Sequence, residues 1–200
     1  MGAREVDRPE TLSDELRPLD VKIKLSAPLP TVPLAFALAF ATLTGCSMTD
    51  NDSNEIPSAG TSTSRDASNA LEKVSSGIYD LIGVKGKASD TQPGVMDCSG
   101  RDTKTYFRVF HPWSFYPTSA SDLDIAMERL KTELPKNGWK IVNYGPDTSK
   151  NKNINLTADN DKLKVGVHIT QMAKNNPPKL SLDLVSGCYE VPDGEEVERF

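Results

Sequence analysis

Two stretches of the chain carry apolar residues at the three- and four-residue spacing of an amphipathic helix. The first covers residues 70–82, and its apolar stripe consists of Leu71, Val74, Ile78 and Leu81. The second covers about 121–134, and its stripe consists of Leu123, Met127, Leu130 and Leu134. Ser119 and Ser121 each stand three residues before an aspartate, a pattern typical of a helix N-cap. Gly83 predicts the end of the first helix.

Other stretches alternate apolar and polar residues or are rich in β-branched and aromatic side chains, as strands are. They are 103–111, 139–144, 154–158, 163–171 and 180–185. Residues 84–100 hold three glycines and Pro93, which predicts a loop. Because helices and strands do not alternate regularly, we predict an α+β fold. We expect an antiparallel sheet of about four strands with two helices packed on one face.

Upstream of these elements, residues 32–43 form an almost wholly apolar run. A membrane-spanning helix needs about 20 such residues, whereas the apolar region of a secretory signal peptide needs about 7–15. Pro28, Pro30 and Pro33 at the N-terminal side of the run would break a spanning helix early. The length of the run therefore favours a signal peptide.

The apolar run leads into the sequence Leu43-Thr44-Gly45-Cys46. This sequence resembles the lipobox of bacterial lipoproteins, in which an aliphatic residue, a small residue and Gly or Ala precede a cysteine. The resemblance implies cleavage before Cys46 and a diacylglycerol on its thiol, which anchors the protein at the extracytoplasmic face of the cell membrane. Two alternatives stay open: a secretory signal without lipid that is cut nearby, and an unmodified cysteine.

Residues 1–20 are unlike the start of a signal peptide, which should be short and positively charged. They hold six acidic residues and three arginines. Translation from Val21, read from a GTG start codon, gives a signal of residues 21–45 that opens with Lys22 and Lys24. We therefore interpret residues 1–20 as an artefact of the assigned start or as a disordered extension.

The chain after the signal divides into a tether, one domain and a tail. Residues 46–69 are rich in Ser, Thr, Asn and Asp with few large apolar side chains, which predicts a flexible tether. Residues 70–192 hold the predicted helices and strands and form a single extracytoplasmic α+β domain. Residues 193–200 form an acidic tail.

Charge and composition exclude some classes of function. The 200 residues include 28 acidic and 23 basic ones, for a net charge of −5. This balance argues against a nucleic-acid-binding protein, which needs a basic face to displace counterions from phosphates. With two histidines and three cysteines, a zinc finger or a multi-metal site is not expected, and we predict no metal and no cofactor.

Two cysteines, Cys98 and Cys188, lie in the predicted domain. An exported domain occupies a compartment in which disulfides form and persist. We therefore predict a Cys98–Cys188 disulfide that joins the loop before the first predicted strand to the end of the last one. The alternative is a catalytic or metal-binding thiol, but neither cysteine belongs to a CxxC motif or stands beside a histidine.

The chain shows no GxSxG or other nucleophile motif. His111 ends the first predicted strand and His168 lies inside the fourth, and we interpret both as structural or solvated. Asp122, Asp124 and Glu128 gather at the start of the second helix, where carboxylates interact favourably with the helix dipole. Metal binding and acid–base catalysis are the functional alternatives for these three acids.

Six of the chain's aromatic residues, which number 6 Phe, 5 Tyr and 2 Trp, fall within 106–116. Pro112 and Pro117 are expected to end the strand and to hold the residues between them as a rigid loop. Trp113, Phe115 and Tyr116 then form a possible ligand or partner surface, because exposed aromatic rings suit contact with carbohydrate or protein. The alternative is that these rings seal the edge of the core.

The layout of lipobox, polar tether, helices, the segment LPKNGWKIVNY and the paired cysteines is similar to that of small lipoproteins of high-GC Gram-positive bacteria. The resemblance implies membrane anchoring and an extracytoplasmic domain, and it implies no activity. We expect a non-enzymatic binding or protein-interaction module whose partner is an envelope protein or glycan. The alternative is an envelope hydrolase that acts on wall polymers with carboxylate chemistry.

Overall fold

The computed structural model describes residues 56–200, which contain two helices and nine strands. The helices are α1 (Ser64–Ile82) and α2 (Asp122–Lys136). The strands are β1 (Ser58–Thr61), β2 (Gly86–Ala88), β3 (Gly94–Asp97), β4 (Tyr106–Pro117), β5 (Lys140–Pro146), β6 (Ile154–Asn160), β7 (Val165–Met172), β8 (Lys179–Ser186) and β9 (Cys188–Glu190). The predicted signal peptide, the Val21 start and the lipobox cysteine Cys46 lie outside the described residues. Neither α1 nor α2 is long and apolar enough to cross a membrane.

The strands in this part of the chain belong to one sheet of order β1-β9-β4-β8-β7-β6-β5. β2 and β3 pair with β4 on the side opposite β8. The β1–β9 pair is parallel and the other pairs are antiparallel. The α+β class is confirmed, but four strands understate the sheet. β1, β2, β3 and β9 are three or four residues long, too short for an alternating pattern to be recognised.

One face of the sheet packs against the helices and forms the core. On β4 this face carries the buried residues Phe107 and Val109, while Arg108 points to the other face and is half-buried. α2 buries all four residues of its predicted stripe. α1 buries Leu71 and Ile78 and partly buries the other two stripe residues. Both helical stripes are therefore confirmed as core-facing.

α1 begins at Ser64 rather than at residue 70. Thr63 is its N-cap, since the Thr63 hydroxyl accepts a hydrogen bond of 3.1 Å from the N–H of Asp66. β1 also lies within the range 46–69 that was predicted to be a flexible tether. The ordered domain therefore begins no later than β1. Gly83 ends α1 in the left-handed conformation, as predicted.

α2 begins within one residue of its predicted start, but the predicted side-chain cap is wrong. Ser121 occupies the N-cap position, and within residues 56–200 its side chain makes no cap hydrogen bond. The Ser121 hydroxyl instead lies 2.8 Å from that of Ser119. The helix continues through Pro135, which lies in its last turn.

β4 runs straight through Pro112, which was predicted to end it. The N–H of Ser114, two residues further on, donates to the Ser89 hydroxyl on the side of β4 that carries β2 and β3. Alternation places the nitrogen of Pro112 on this same side. β3 pairs with β4 as far as Phe110, and β2 pairs with β4 from Phe115 onward. Pro112 therefore lies in the gap between these two pairings and removes no strand–strand hydrogen bond.

Cys98 and Cys188 form the predicted disulfide, and their Cα atoms lie 5.9 Å apart. Cys98 follows β3, and Cys188 is the first residue of β9. The two residues are 90 positions apart in the sequence. The disulfide therefore ties the segment before β4 to the end of the chain's last long strand.

The acidic tail, residues 193–200, lies against the domain. The N–H of Val197 donates to the carbonyl of Lys104 at 2.9 Å, and the N–H of Glu198 donates to the Ser64 hydroxyl at 3.1 Å. Arg65 pairs with the Glu198 carboxylate at 2.5 Å. These contacts hold the end of the chain beside the N-terminus of α1.

Candidate functional site

A groove runs along one side of α1, and two cavities that share Glu72, Thr91 and Gln92 form it. The first cavity, of about 300 Å³, is also lined by Ser75, Tyr79, Asp80, Asp90, His111 and Trp113. The second, of about 660 Å³, is also lined by Arg65, Ser68, Asn69, Phe110 and Phe200. We call the two cavities together the α1 groove.

The walls of the α1 groove follow from the elements around it. Ser68, Glu72, Ser75 and Tyr79 are spaced three or four residues apart, so they share one face of α1. The segment between β2 and β3, residues 89–93, forms the opposite wall. His111 and Trp113 reach the groove from the core-facing side of β4. The short strands β2 and β3 therefore create the site by holding this segment beside the helix.

Ser75 and His111 form a hydrogen-bonded pair in the first cavity. The Ser75 hydroxyl lies 2.8 Å from Nδ1 of His111, and Nε2 of His111 lies 2.9 Å from the carbonyl oxygen of Thr91. Ser75 is 5 % exposed and His111 is 6 % exposed. His111 was predicted to end its strand and to be structural or solvated. It lies in the middle of β4 and is buried with a partner at each ring nitrogen.

Two buried polar atoms at the α1 groove lack a partner. Within the described residues, neither Nε1 of Trp113 nor the hydroxyl of Ser68 has a hydrogen-bond partner. Trp113 lines the first cavity and Ser68 lines the second. Buried polar groups are nearly always paired, and an unpaired one costs about 1–3 kcal/mol. Each cavity is therefore lined by a residue that carries an unpaired, buried polar atom.

The first cavity is acidic. Glu72, Asp80 and Asp90 line it, and no lysine or arginine is among the described residues that do so. The exposed ring of Tyr79 lies 6.3 Å from that of Trp113 between centroids. The cavity therefore combines negative charge with aromatic surface, which disfavours an anionic ligand.

The predicted aromatic loop is wrong, because residues 113–116 belong to β4. Trp113 is 6 % exposed and Phe115 is 0 % exposed, so these two rings belong to the core, the alternative left open above. Tyr116 points to the other face, is half-buried, and has the ammonium of Lys179 6.0 Å from its ring centroid. The three residues therefore do not form one exposed surface.

The face of the sheet away from the helices carries His168. Its Nδ1 lies 3.0 Å from the Thr157 hydroxyl and its Nε2 lies 3.2 Å from the Thr170 hydroxyl, and all three side chains are exposed to solvent or half-buried. A cavity of about 360 Å³ on this face is lined by His168, Arg108, Asp159 and Lys164, among others. Burial lowers the pKa of Arg108 below its ordinary value. Charges of both signs therefore line this cavity.

The acids at the start of α2 have separate partners. Asp124 accepts a hydrogen bond of 2.6 Å from the Gln171 amide, and Glu128 accepts one of 2.8 Å from the Tyr144 hydroxyl. Burial, followed by the bond to Glu128, raises the pKa of Tyr144 to about 12. No three His, Cys, Asp or Glu residues within 56–200 are placed to hold a metal ion. The geometry gives no support to a paired-carboxylate site built on Asp122, Asp124 and Glu128.

Ser75 was not among the candidate residues predicted from the sequence, although one signal could have revealed it. Ser75 stands four residues after Leu71 and three before Ile78, so helical periodicity places it within the buried stripe of α1. A serine at such a position needs a polar partner from another element. The sequence alone does not identify His111 as that partner, because only the fold brings the two together.

No family model, curated protein or solved structure matches this chain.

Proposed function

We propose that this protein is a lipid-anchored, extracytoplasmic binding module that takes up a cell-envelope ligand in the α1 groove. The properties of the groove are the main support for this proposal. It is the place in the described domain where open volume, aromatic rings and polar side chains with unmet hydrogen-bonding capacity occur together. Ligand sites in proteins typically combine concavity and apolar surface with a few placed polar groups.

The groove favours a neutral or cationic ligand that is rich in hydroxyl and amide groups, because its first cavity is acidic and Arg65 of the second cavity is paired with Glu198. Carboxylates, the Gln92 and Asn69 amides and the Thr91 hydroxyl are hydrogen-bonding groups, while Tyr79 and Phe110 supply ring surface. A glycan segment of the cell envelope has this composition. The acidic first cavity repels a phosphate-rich ligand.

The sequence between the anchor and the domain supports the proposed location. Ile56, the first described residue, stands ten positions after Cys46. Ten residues span at most about 35 Å when fully extended. A lipid on Cys46 would therefore keep the groove within reach of the layer immediately outside the membrane.

Fluorescence of Trp113 tests binding, because the chain has two tryptophans and only Trp113 lines the groove. In the Trp139→Phe variant, soluble glycan fragments released from the host cell wall are expected to change the emission of Trp113 in a saturable way. The physical reason is that ligand entry replaces water beside the Trp113 side chain, which lines the first cavity.

The matched control is Trp113→Phe, in which the emission comes from Trp139 alone. Its emission is expected to stay constant during the same titration. The proposal is wrong if Trp113 emission does not respond, or if both variants respond equally, because the glycan would then not bind in the groove.

A further inference from the structure

We propose that Ser75 is a nucleophile, activated by His111, that accepts an acyl group from a small neutral or cationic ester in the first cavity of the α1 groove. This inference goes beyond binding and assigns the groove a covalent activity. It depends on three features of the cavity: the direction of the Ser75–His111 hydrogen bond, an unpaired N–H donor, and the size and charge of the space.

The direction of the hydrogen bond follows from the partner on the other side of the ring. A backbone carbonyl only accepts, so the Thr91 carbonyl, 2.9 Å from Nε2 of His111, fixes the proton on Nε2. Nδ1 of the neutral ring is then an acceptor, and the Ser75 hydroxyl, 2.8 Å away, must donate to it. A hydroxyl that donates to an oriented imidazole has the arrangement of an activated serine nucleophile.

The unpaired donor is Nε1–H of Trp113. Trp113 stands two residues after His111 on the same face of β4, which puts their Cα atoms about 7 Å apart. When a nucleophile attacks an ester carbonyl, negative charge develops on the carbonyl oxygen and needs a donor that is already in place. Trp113 supplies an N–H group with no other partner in the described structure.

The cavity also limits the substrate. A volume of about 300 Å³ lies at the small end of the range for ligand pockets. Glu72, Asp80 and Asp90 repel anionic groups, and they stabilise the imidazolium that His111 becomes during the reaction. Tyr79 and Trp113 form its aromatic wall. A short acyl ester of an uncharged or amine-bearing alcohol matches these properties.

The proposed reaction has two halves, acylation of Ser75 and hydrolysis of the acyl group. The Ser75 oxygen forms a bond to the ester carbonyl carbon, Nδ1 of His111 takes the hydroxyl proton, and the carbonyl electron pair moves onto oxygen. That pair then returns, the carbon–oxygen bond to the alcohol breaks, and the alcohol leaves with the proton from Nδ1. Water repeats the sequence on acyl-Ser75, which releases the carboxylic acid and restores the hydroxyl.

A fluorophosphonate probe tests the proposal on the folded wild-type protein. The Ser75 oxygen bonds to phosphorus, fluoride leaves, and His111 takes the proton. We expect one adduct per chain on the tryptic peptide 74–85, with the fragment ions placing it on Ser75 and not on the adjacent Ser76. A folded protein that takes up no probe, or takes it up on another residue, would overturn the proposal and leave Ser75–His111 as a purely structural pair.

Two variants and a control test the roles of His111 and Trp113. His111→Gln keeps an amide donor for the Thr91 carbonyl but removes the base, so labelling should slow by at least about 100-fold. Trp113→Phe keeps a ring without the donor, and we expect a loss of about 100-fold. His168→Gln is the matched control, because His168 is also bonded to a hydroxyl but lies on the other face of the sheet. Labelling that falls equally in all three variants would contradict the assigned roles.

Discussion

Removal of the Cys98–Cys188 disulfide is expected to lower the free energy of unfolding by about 4–5 kcal/mol. The two cysteines are 90 positions apart, so the bond closes a long loop and restricts the unfolded chain strongly. The loop contains β4, α2 and the strands β5 to β8, which include most of the core. Because natural domains are stable by only about 5–15 kcal/mol, this loss would remove a large part of the total.

Two experiments separate the effect of the cross-link on stability from the effect of the cysteine side chains. Urea unfolding of the wild type with and without reductant measures the cross-link alone. The double variant Cys98→Ser, Cys188→Ser should show a similar or larger loss, since both positions are buried, and should not respond to reductant. A reduced wild type that is as stable as the oxidised one would show that the disulfide does not hold the fold together.

Phe115→Ala is expected to lower the free energy of unfolding by about 3–5 kcal/mol, and Tyr116→Ala by about 1 kcal/mol or less. Phe115 is fully buried, and its ring lies 5.9 Å from that of Tyr79 on α1. A Cβ atom added to Gly86 of β2 would lie 2.3 Å from this ring, so the ring fills the space up to the neighbouring backbone. Replacement by alanine leaves a cavity that this packing cannot close.

The adjacent residue is the matched control for that prediction. Tyr116 belongs to the same strand and is also aromatic, but it points away from the helices and is half-buried. Chemical denaturation of the two variants measures the difference. Equal losses would mean that both faces of β4 are packed alike, which contradicts the one-sided core described above.

The elements that sequence reasoning found are those whose pattern repeats several times. α2 carries four stripe residues over four turns, and β6, β7 and β8 alternate over seven or eight residues, so each was predicted within a few residues of its bounds. β2 and β3 are three and four residues long in a glycine-containing segment, and they exist because β4 offers them a free side. Such strands are stabilised by their partner, and no local pattern indicates them.

Pro112 is a strong local signal for the end of a strand, but in this chain the strand continues through it. Proline usually ends a strand because it lacks the N–H of the ladder. In this chain the nitrogen of Pro112 points toward the gap between β2 and β3, so no hydrogen bond is lost. Continuation of β4 then turns Trp113 and Phe115 into the core. The wrong interpretation of this one residue therefore predicted an exposed aromatic loop, whereas the structure has buried rings.

The candidate site was the hardest part to predict because its groups come from distant parts of the chain. Ser75 lies on α1, Thr91 in the segment before β3, and His111 on β4. Each residue alone is unremarkable in the sequence, and the spacing between them matches no motif. The site forms where α1 packs against β4. The apolar stripe of α1 predicted that the helix faces the core, but not that it brings Ser75 beside His111.

The intact mass of the protein purified from membranes of its native host, before and after lipase treatment, decides whether the chain is a lipid-anchored protein. We expect a chain that begins at Cys46, carries lipid that lipase shortens, and is two hydrogens lighter than its reduced form because Cys98 and Cys188 are joined. That result would place the α1 groove outside the cell, at the membrane. An unlipidated chain that begins at Met1 or Val21 with free thiols would show that the protein is not an exported lipoprotein.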